Sequence, residues 1–299
     1  MEDSRETGAS AQRIHPGRFA AARGLFTSLL HSPTSALGVS VSVLFILLAL
    51  LGPIIAPFGV NQQIASDAGQ PPSSQHLFGT DRLGRDVFSR VILGAREILL
   101  LTGSATILAV LMGTAVGLIS GYLGGLVDEV VMRIFDSLLA VPALLLALLL
   151  LGALGPSQLG VLLVIAVLYT PIVARVVRSV TLGTKSLHFV EAARVQGEPV
   201  AGILLRDILP SALPALAVEA SLRFSYAIFL VASLGFLGVG VQPPSPNWGL
   251  MVQESRTYAS QTPWALAFPA AAISVVVVGV NLMADGLKRL LKTRTELRR

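Results

Sequence analysis

Residue types that do chemistry are sparse in this chain of 299 residues, which has four histidines and no cysteine. His15, His31, His76 and His188 are scattered and form no local metal site. Without thiols there is neither a disulfide nor a thiolate metal centre. No Gly-x-x-x-x-Gly-Lys-Ser/Thr run is present to cradle a phosphate, and the Gly-Thr-Lys-Ser run at Gly183 lacks the Gly-Lys pair. His-Glu-x-x-His and Gly-x-Ser-x-Gly are also missing. The sequence therefore predicts no catalytic residue, no metal ligand and no cofactor bound by this chain. What its charged residues offer is ion pairing and docking. Asp81, Arg85, Asp86 and Arg90 are clustered. Glu219 and Arg223 stand four apart, the spacing of a helical ion pair. A third, polar group runs from Glu191-Ala192-Ala193-Arg194 through Gly197 to Ile208-Leu209-Pro210.

The elements that position these groups follow from composition. The chain is 53% hydrophobic and 13% charged, against about 25% charged in soluble domains. Its mean hydropathy is +0.74. Such a chain cannot hide its apolar surface in one soluble core, but lipid solvates it if the chain forms membrane-spanning helices. The expectation is an all-α polytopic membrane protein with six transmembrane helices, near 34–56, 98–122, 130–154, 159–180, 212–239 and 264–287. Residues 1–33 read as a tail, without the early apolar run and cleavage site of a signal peptide. Residues 34–292 read as the membrane domain and 293–299 as a second tail.

Six crossings put three basic groups on one side. They are Arg5, Arg13, Arg18 and Arg23; Arg175, Arg178, Lys185, Arg194 and Arg206; and Lys288, Arg289, Lys292, Arg294, Arg298 and Arg299. The other side has Arg82, Arg85, Arg90, Arg96 and Arg256. The bias of roughly three to one places both termini in the cytoplasm. It fits the positive-inside pattern better than a nucleic-acid footprint, so no nucleic-acid partner is expected. Gly121 to Asp128 reads as a tight turn between the second and third spans. The glycines within spans, as in Met112-Gly-Thr-Ala-Val-Gly-Leu-Ile-Ser-Gly, read as close helix packing by small residues.

The segment at about 185–210 is a polar interruption between the fourth and fifth spans. Glu191-Ala192-Ala193 predicts a short helix, Gly197 a helix end with positive φ, and about 199–208 a second short helix before Pro210. Two short helices joined by a glycine turn make a rigid knob. Glu191 is expected to cap or anchor it and Arg194 to face a partner. On the other side, Arg85 and Arg90 pair with Asp81 and Asp86 and fix an interfacial helix at about 85–96, with Val87, Phe88, Val91, Ile92 and Leu93 toward lipid. A structural staple and a docking edge both fit this cluster. His76 reads as a hydrogen-bonding loop residue. Trp248 and Trp264 suit a membrane interface, and Trp248 also fits an outer gate or docking surface. Glu219 and Arg223 fit either a pathway lining or snorkelling near a helix end.

Several of these motifs together resemble one family. Glu191-Ala192-Ala193, Gly197 and Ile208-Leu209-Pro210 resemble the EAA loop of membrane subunits of ABC importers. His76, Phe78, Gly79, Thr80, Asp81, Gly84, Arg85, Asp86, Ser89, Arg90, Gly94, Ala95 and Arg96 are in register with the C-type permease subunit of dipeptide, oligopeptide, glutathione and nickel importers. Ser233 to Met251 and Asn281 to Lys288 resemble two further segments of that family, although Asp207, Glu198, Gly235 and Ala284 depart from its pattern. The resemblance implies a multi-pass bacterial inner-membrane permease with a cytoplasmic coupling loop. Its implied partners are a homologous second permease subunit, two ATP-binding subunits that carry the ATP and Mg, an external solute-binding protein and membrane lipid. Peptides are the implied cargo, with nickel or another small solute as the alternative. An ion-coupled secondary transporter is the rival class, but the paired repeats with broken helices it calls for are not visible.

Overall fold

The computed structural model describes residues 32–296, and they are helical apart from turns and loops. Helix α1 is Pro33–Ile55, started by Ser32, whose Oγ accepts from the Ser35 amide at 3.3 Å. Helix α2 is Val87–Leu123 and α3 is Gly125–Ala140. Helix α4 is Ala143–Leu154 and α5 is Gln158–Thr184. The short α6 is His188–Val195. Helix α7 is the continuous run Val200–Phe236, which contains a π-helical stretch at Ile203–Ile208. The short α8 is Trp248–Ser255, and α9 is Pro263–Glu296.

Five of these helices, α1, α2, α5, α7 and α9, are long and apolar enough to cross a membrane. The expected third span differs from a straight crossing. It is the pair α3 and α4, bent by 96° at Val141–Pro142. The physical cause is Pro142, which offers no N–H to continue α3 and pushes Val141 into extended backbone (φ −86°, ψ 131°). The bent pair gives a sixth crossing only if it counts as one. The turn before α3 lies where expected, with Gly124 and Gly125 both at positive φ.

Two more expectations are corrected. No separate interfacial helix precedes the second span, because α2 runs unbroken for 37 residues, about 55 Å. Nothing near Arg96 or Glu97 breaks a helix. Val87, Val91 and Ile92 are buried against the protein rather than turned to lipid. Likewise, the second short helix of the knob is not a separate element but the first two turns of α7.

Small residues hold the bundle together. Gly113, Gly117 and Gly121 recur every four residues on α2, so they share one face. A Cβ at Gly113 would fall 2.9 Å from the Thr170 carbonyl oxygen of α5, and one at Gly117 would fall 2.5 Å from that of Ala174. Backbone therefore meets backbone along the most extensively packed helix pair, as the glycine spacing suggests. Gly38 of α1 and Gly279 of α9 do the same at a second crossing: a Cβ at Gly38 would lie 2.4 Å from the Met283 nitrogen. Helix α3, by contrast, buries no residue. It is tied to α5 by Asp128 with Arg178 and by Asp136 with Arg175, while Arg133 pairs with Glu129 at 3.9 Å on an exposed face.

Candidate functional sites: elbow, cap and mid-helix ion pair

The polar elbow sits at the Leu123 end of α2, where Lys185 Nζ donates to the Gly121 carbonyl at 2.8 Å. Its rigidity comes from apolar anchors. Val190, Ile203 and Ile208 are fully or almost fully buried. They pack with Leu118 of α2, Val173 and Val177 of α5, and Leu216 of α7. Helix α6 ends as its sequence requires: Gly197 has φ +78°, and the Glu198 amide donates back to the Ala193 carbonyl at 3.1 Å. Past the turn, the chain widens into the π stretch, where the Leu209 amide donates to the Leu204 carbonyl. This wide turn lies directly before Pro210, whose ring and missing N–H a regular α-turn would not accommodate.

Of the predicted elbow residues, Glu191, Ala192 and Gly197 are exposed, Ala193 and Leu209 pack partly against the core, and Ile208 is buried. Pro210 is exposed. Glu191 is not the anchor: its carboxylate lies 3.8 Å from His188 Nδ1 on the surface, and the neighbouring Val190 does the anchoring. Arg194 is exposed, with its guanidinium 5.2 Å from the Tyr122 ring centroid, so it braces α6 against α2. Sequence reasoning missed the apolar outer face. Phe189 is 49% exposed and Val195 is 88% exposed. The signal was available, since apolar residues on both sides of an eight-residue helix in a polar loop cannot all face one core.

At the other end of α2 the segment 56–86 folds into a cap with α8. Asp86 starts α2: its Oδ2 accepts from the Ser89 amide at 2.7 Å, and its Oδ1 lies 2.9 Å from His76 Nδ1. His76 is thus a hydrogen-bonded loop residue, as expected, with Asp67 3.3 Å from its other ring nitrogen. The predicted arginine–aspartate pairing is partly re-drawn. Arg85 Nε donates to Asp81 Oδ2 at 2.6 Å and its Nη2 to Glu254 Oε2 at 2.7 Å. Arg90, 1% exposed, lies 3.5 Å from Asp81 and 3.7 Å from Glu254. Asp86 caps instead of pairing, and Glu254 of α8 replaces it.

Trp248 is not on the protein's surface. It is fully buried, donates from Nε1 to the Val91 carbonyl at 2.9 Å and meets Phe45 edge-on. It pins α8 to α1 and α2. Asp81 also accepts from the Leu83 and Arg85 amides, at 2.9 and 3.0 Å. Asp81→Ala is therefore expected to destabilise the cap by about 3–5 kcal/mol, the range for breaking a buried pair. Limited proteolysis in the 56–86 segment checks this, and an unchanged cleavage rate would contradict the staple.

The third group lies in mid-helix. Glu219 Oε1 and Arg223 Nε of α7 are 2.7 Å apart, with both side chains largely buried. Neither atom makes an aligned hydrogen bond. The Arg223 guanidinium is flanked by the rings of Tyr169 at 5.5 Å and Tyr226 at 4.8 Å. Within α7, Arg223 stands 23 residues after Val200 and thirteen before Phe236, about 35 Å and about 20 Å of helix from the two ends.

Residues 113–297 match the family described as binding-protein-dependent transport system inner membrane component. The dipeptide transport system permease protein DppC of Alkalihalophilus pseudofirmus is 39% identical over 266 residues, covering 89% of this chain and 88% of that protein. The probable D,D-dipeptide transport system permease protein DdpC of Escherichia coli is 38% identical, with 87% of each chain covered. The glutathione transport system permease protein GsiD of Pectobacterium atrosepticum is 37% identical, with 82% of each covered. With its apolar helices, its glycine-packed bundle and these matches along most of its length, the chain belongs to the family of binding-protein-dependent transport system inner membrane components.

Proposed function

We propose that this chain is one of two homologous permease subunits of an ABC importer for di- or oligopeptides, and that the elbow is its coupling element. The carrying observation is a short helix with an exposed apolar outer face, fixed to the bundle by buried Val190, Ile203 and Ile208. A rigid body of this kind transmits a push from a partner into α5 and α7, which a floppy loop would absorb. Two ATP-binding subunits dock on the elbows from the cytoplasm, which also holds both termini. An external solute-binding protein docks on the outer surface of the cap, whose shape the buried Asp81, Arg85, Asp86, Arg90 and Trp248 hold from within. The chain contributes no ATPase site; ATP and Mg belong to the docked subunits. The bent α3–α4 pair completes six crossings.

Glu219 and Arg223 line the solute pathway. Their place well inside an apolar helix favours a wet lining over snorkelling at an end. Peptide cargo is supported by the names of the relatives, which are dipeptide and glutathione permeases; the same names weigh against nickel. Co-expression with candidate ATP-binding subunits tests the assembly. A complex should co-purify, and proteoliposomes should accumulate labelled dialanine only with binding protein and ATP. Uptake by the purified chain without a nucleotide-driven companion would overturn the reading.

A further inference from the structure

We infer that Glu219 and Arg223 are the two counter-charges that a zwitterionic solute meets in transit, Arg223 taking its carboxylate and Glu219 its ammonium. The inference rests on the permease reading above and adds the chemistry of the pathway to it.

The pair is a close ion pair without an aligned hydrogen bond between its facing atoms. These atoms are 2.7 Å apart, and among the described residues no other group accepts from Arg223 Nε or donates to Glu219 Oε1. In the cap, Arg85 reaches two carboxylates with aligned bonds, whereas Arg90 shares the looser geometry of Arg223, 3.5 and 3.7 Å from its two carboxylates. Two buried charges left imperfectly matched in an apolar helix cost free energy that a polar third party recovers. The aromatic flanks suit such a visitor. Tyr169 is buried behind the guanidinium, while Tyr226 is 49% exposed beside it, so one side of the cluster is open. An aromatic face holds a guanidinium in place without consuming its hydrogen-bond donors, leaving them for a planar carboxylate.

A solute carrying one charge would gain a partner and leave the opposite residue unpaired. A zwitterion with termini a few ångströms apart inserts between the two and matches both. It then leaves by letting the residues re-pair, so the site holds cargo weakly, as passage demands.

The test uses the assembled transporter in lipid nanodiscs without binding protein or nucleotide. Saturation-transfer NMR reads contact with three probes at millimolar concentration: dialanine, N-acetyl-dialanine and dialanine amide. The wild type should saturate dialanine. Arg223→Leu should lose at least about tenfold of the signal for dialanine and N-acetyl-dialanine, the two carboxylates, and retain that for the amide. Glu219→Gln should do the reverse, losing dialanine and the amide while retaining N-acetyl-dialanine. Arg223→Lys, which keeps the charge, should retain dialanine within about threefold and controls for folding. A structural role would reduce all three probes together or none, and either result overturns the inference, as does a wild type that saturates none. ATP-driven dialanine uptake by the wild type is measured in parallel. Its presence alongside unselective variants sinks this inference alone, and its absence sinks the peptide-permease reading.

Discussion

Gly197→Ala is expected to lower ATP-driven uptake about tenfold while the protein still inserts and assembles. The residue holds φ +78°, and a Cβ there would have open space, with nothing within 4 Å. The effect is therefore not a clash but backbone strain, of about 1–2 kcal/mol for an L-residue in the left-handed region. The chain relieves that strain by rotating out of it, which re-aims α6 relative to α7. The buried anchors Val190, Ile203 and Ile208 stay, so insertion survives. What changes is the orientation of Phe189 and Val195, the exposed apolar side chains offered to a partner. A misdirected contact worth about 1.4 kcal/mol is a tenfold change.

Gly155 supplies the control. It too has positive φ (+84°) and open space around a Cβ, but it lies in the turn between α4 and α5, at the end of α5 opposite the elbow. Gly155→Ala carries the same kind of strain away from the elbow and should leave uptake within about threefold. Uptake and nucleotide hydrolysis in proteoliposomes check the pair. Equal losses at the two glycines would remove the elbow's special role and leave only generic backbone strain.

How much of this is legible in the sequence depends on whether a residue acts locally. Gly197 demands a positive φ wherever it ends a helix, and that demand shows in the sequence alone. Pro142 stands in plain view and bends the third span, but hydropathy runs straight through it, so a span drawn from apolar content alone comes out straight. The turns before Pro210 are not legible, because a π stretch is the chain's answer to a missing N–H and that answer depends on what Ile203 and Ile208 pack against. Trp248 shows the same limit: an indole suits both a wet interface and a dry core with one acceptor, and only the Val91 carbonyl decides between them. In the cap, the charges are plain but one partnership is not. Glu254 lies 169 residues from Arg85, and no local spacing rule reaches that far. The glycine stripe of α2 is legible as close packing, though the element it packs against is not.

That stripe sets the largest expected effect on the fold. Alanine in place of glycine normally favours a helix interior by about 1 kcal/mol, so Gly→Ala is a sharp probe of whether space or propensity governs a site. Gly152 of α4 and Gly183 of α5 are helical, and a methyl group added at either would have nothing within 4 Å; alanine at either should be neutral or stabilising by up to that amount. At Gly117 the same methyl would sit 2.5 Å from the Ala174 carbonyl oxygen and 2.8 Å from Val177 Cβ. A carbonyl oxygen within a helix cannot rotate away as a side chain can, so α2 and α5 must separate. Overpacking of this kind costs about 1–3 kcal/mol, opposite in sign to the helix-propensity gain. Leucine cannot be accommodated without parting the helices altogether, which would strip Val173, Val177 and Leu118 of the contacts that also anchor the elbow. The expected order in thermal stability of the purified protein is Gly183→Ala at or above wild type, then Gly117→Ala, with Gly117→Leu recovered at least about tenfold less as folded protein. Because Val190 and Ile203 share this cluster, Gly117→Ala should also loosen the elbow and expose it to protease. If Gly117→Ala were as stable as Gly183→Ala, close backbone approach would not be what holds α2 to α5, and the rigid link from elbow to bundle would lose its physical basis.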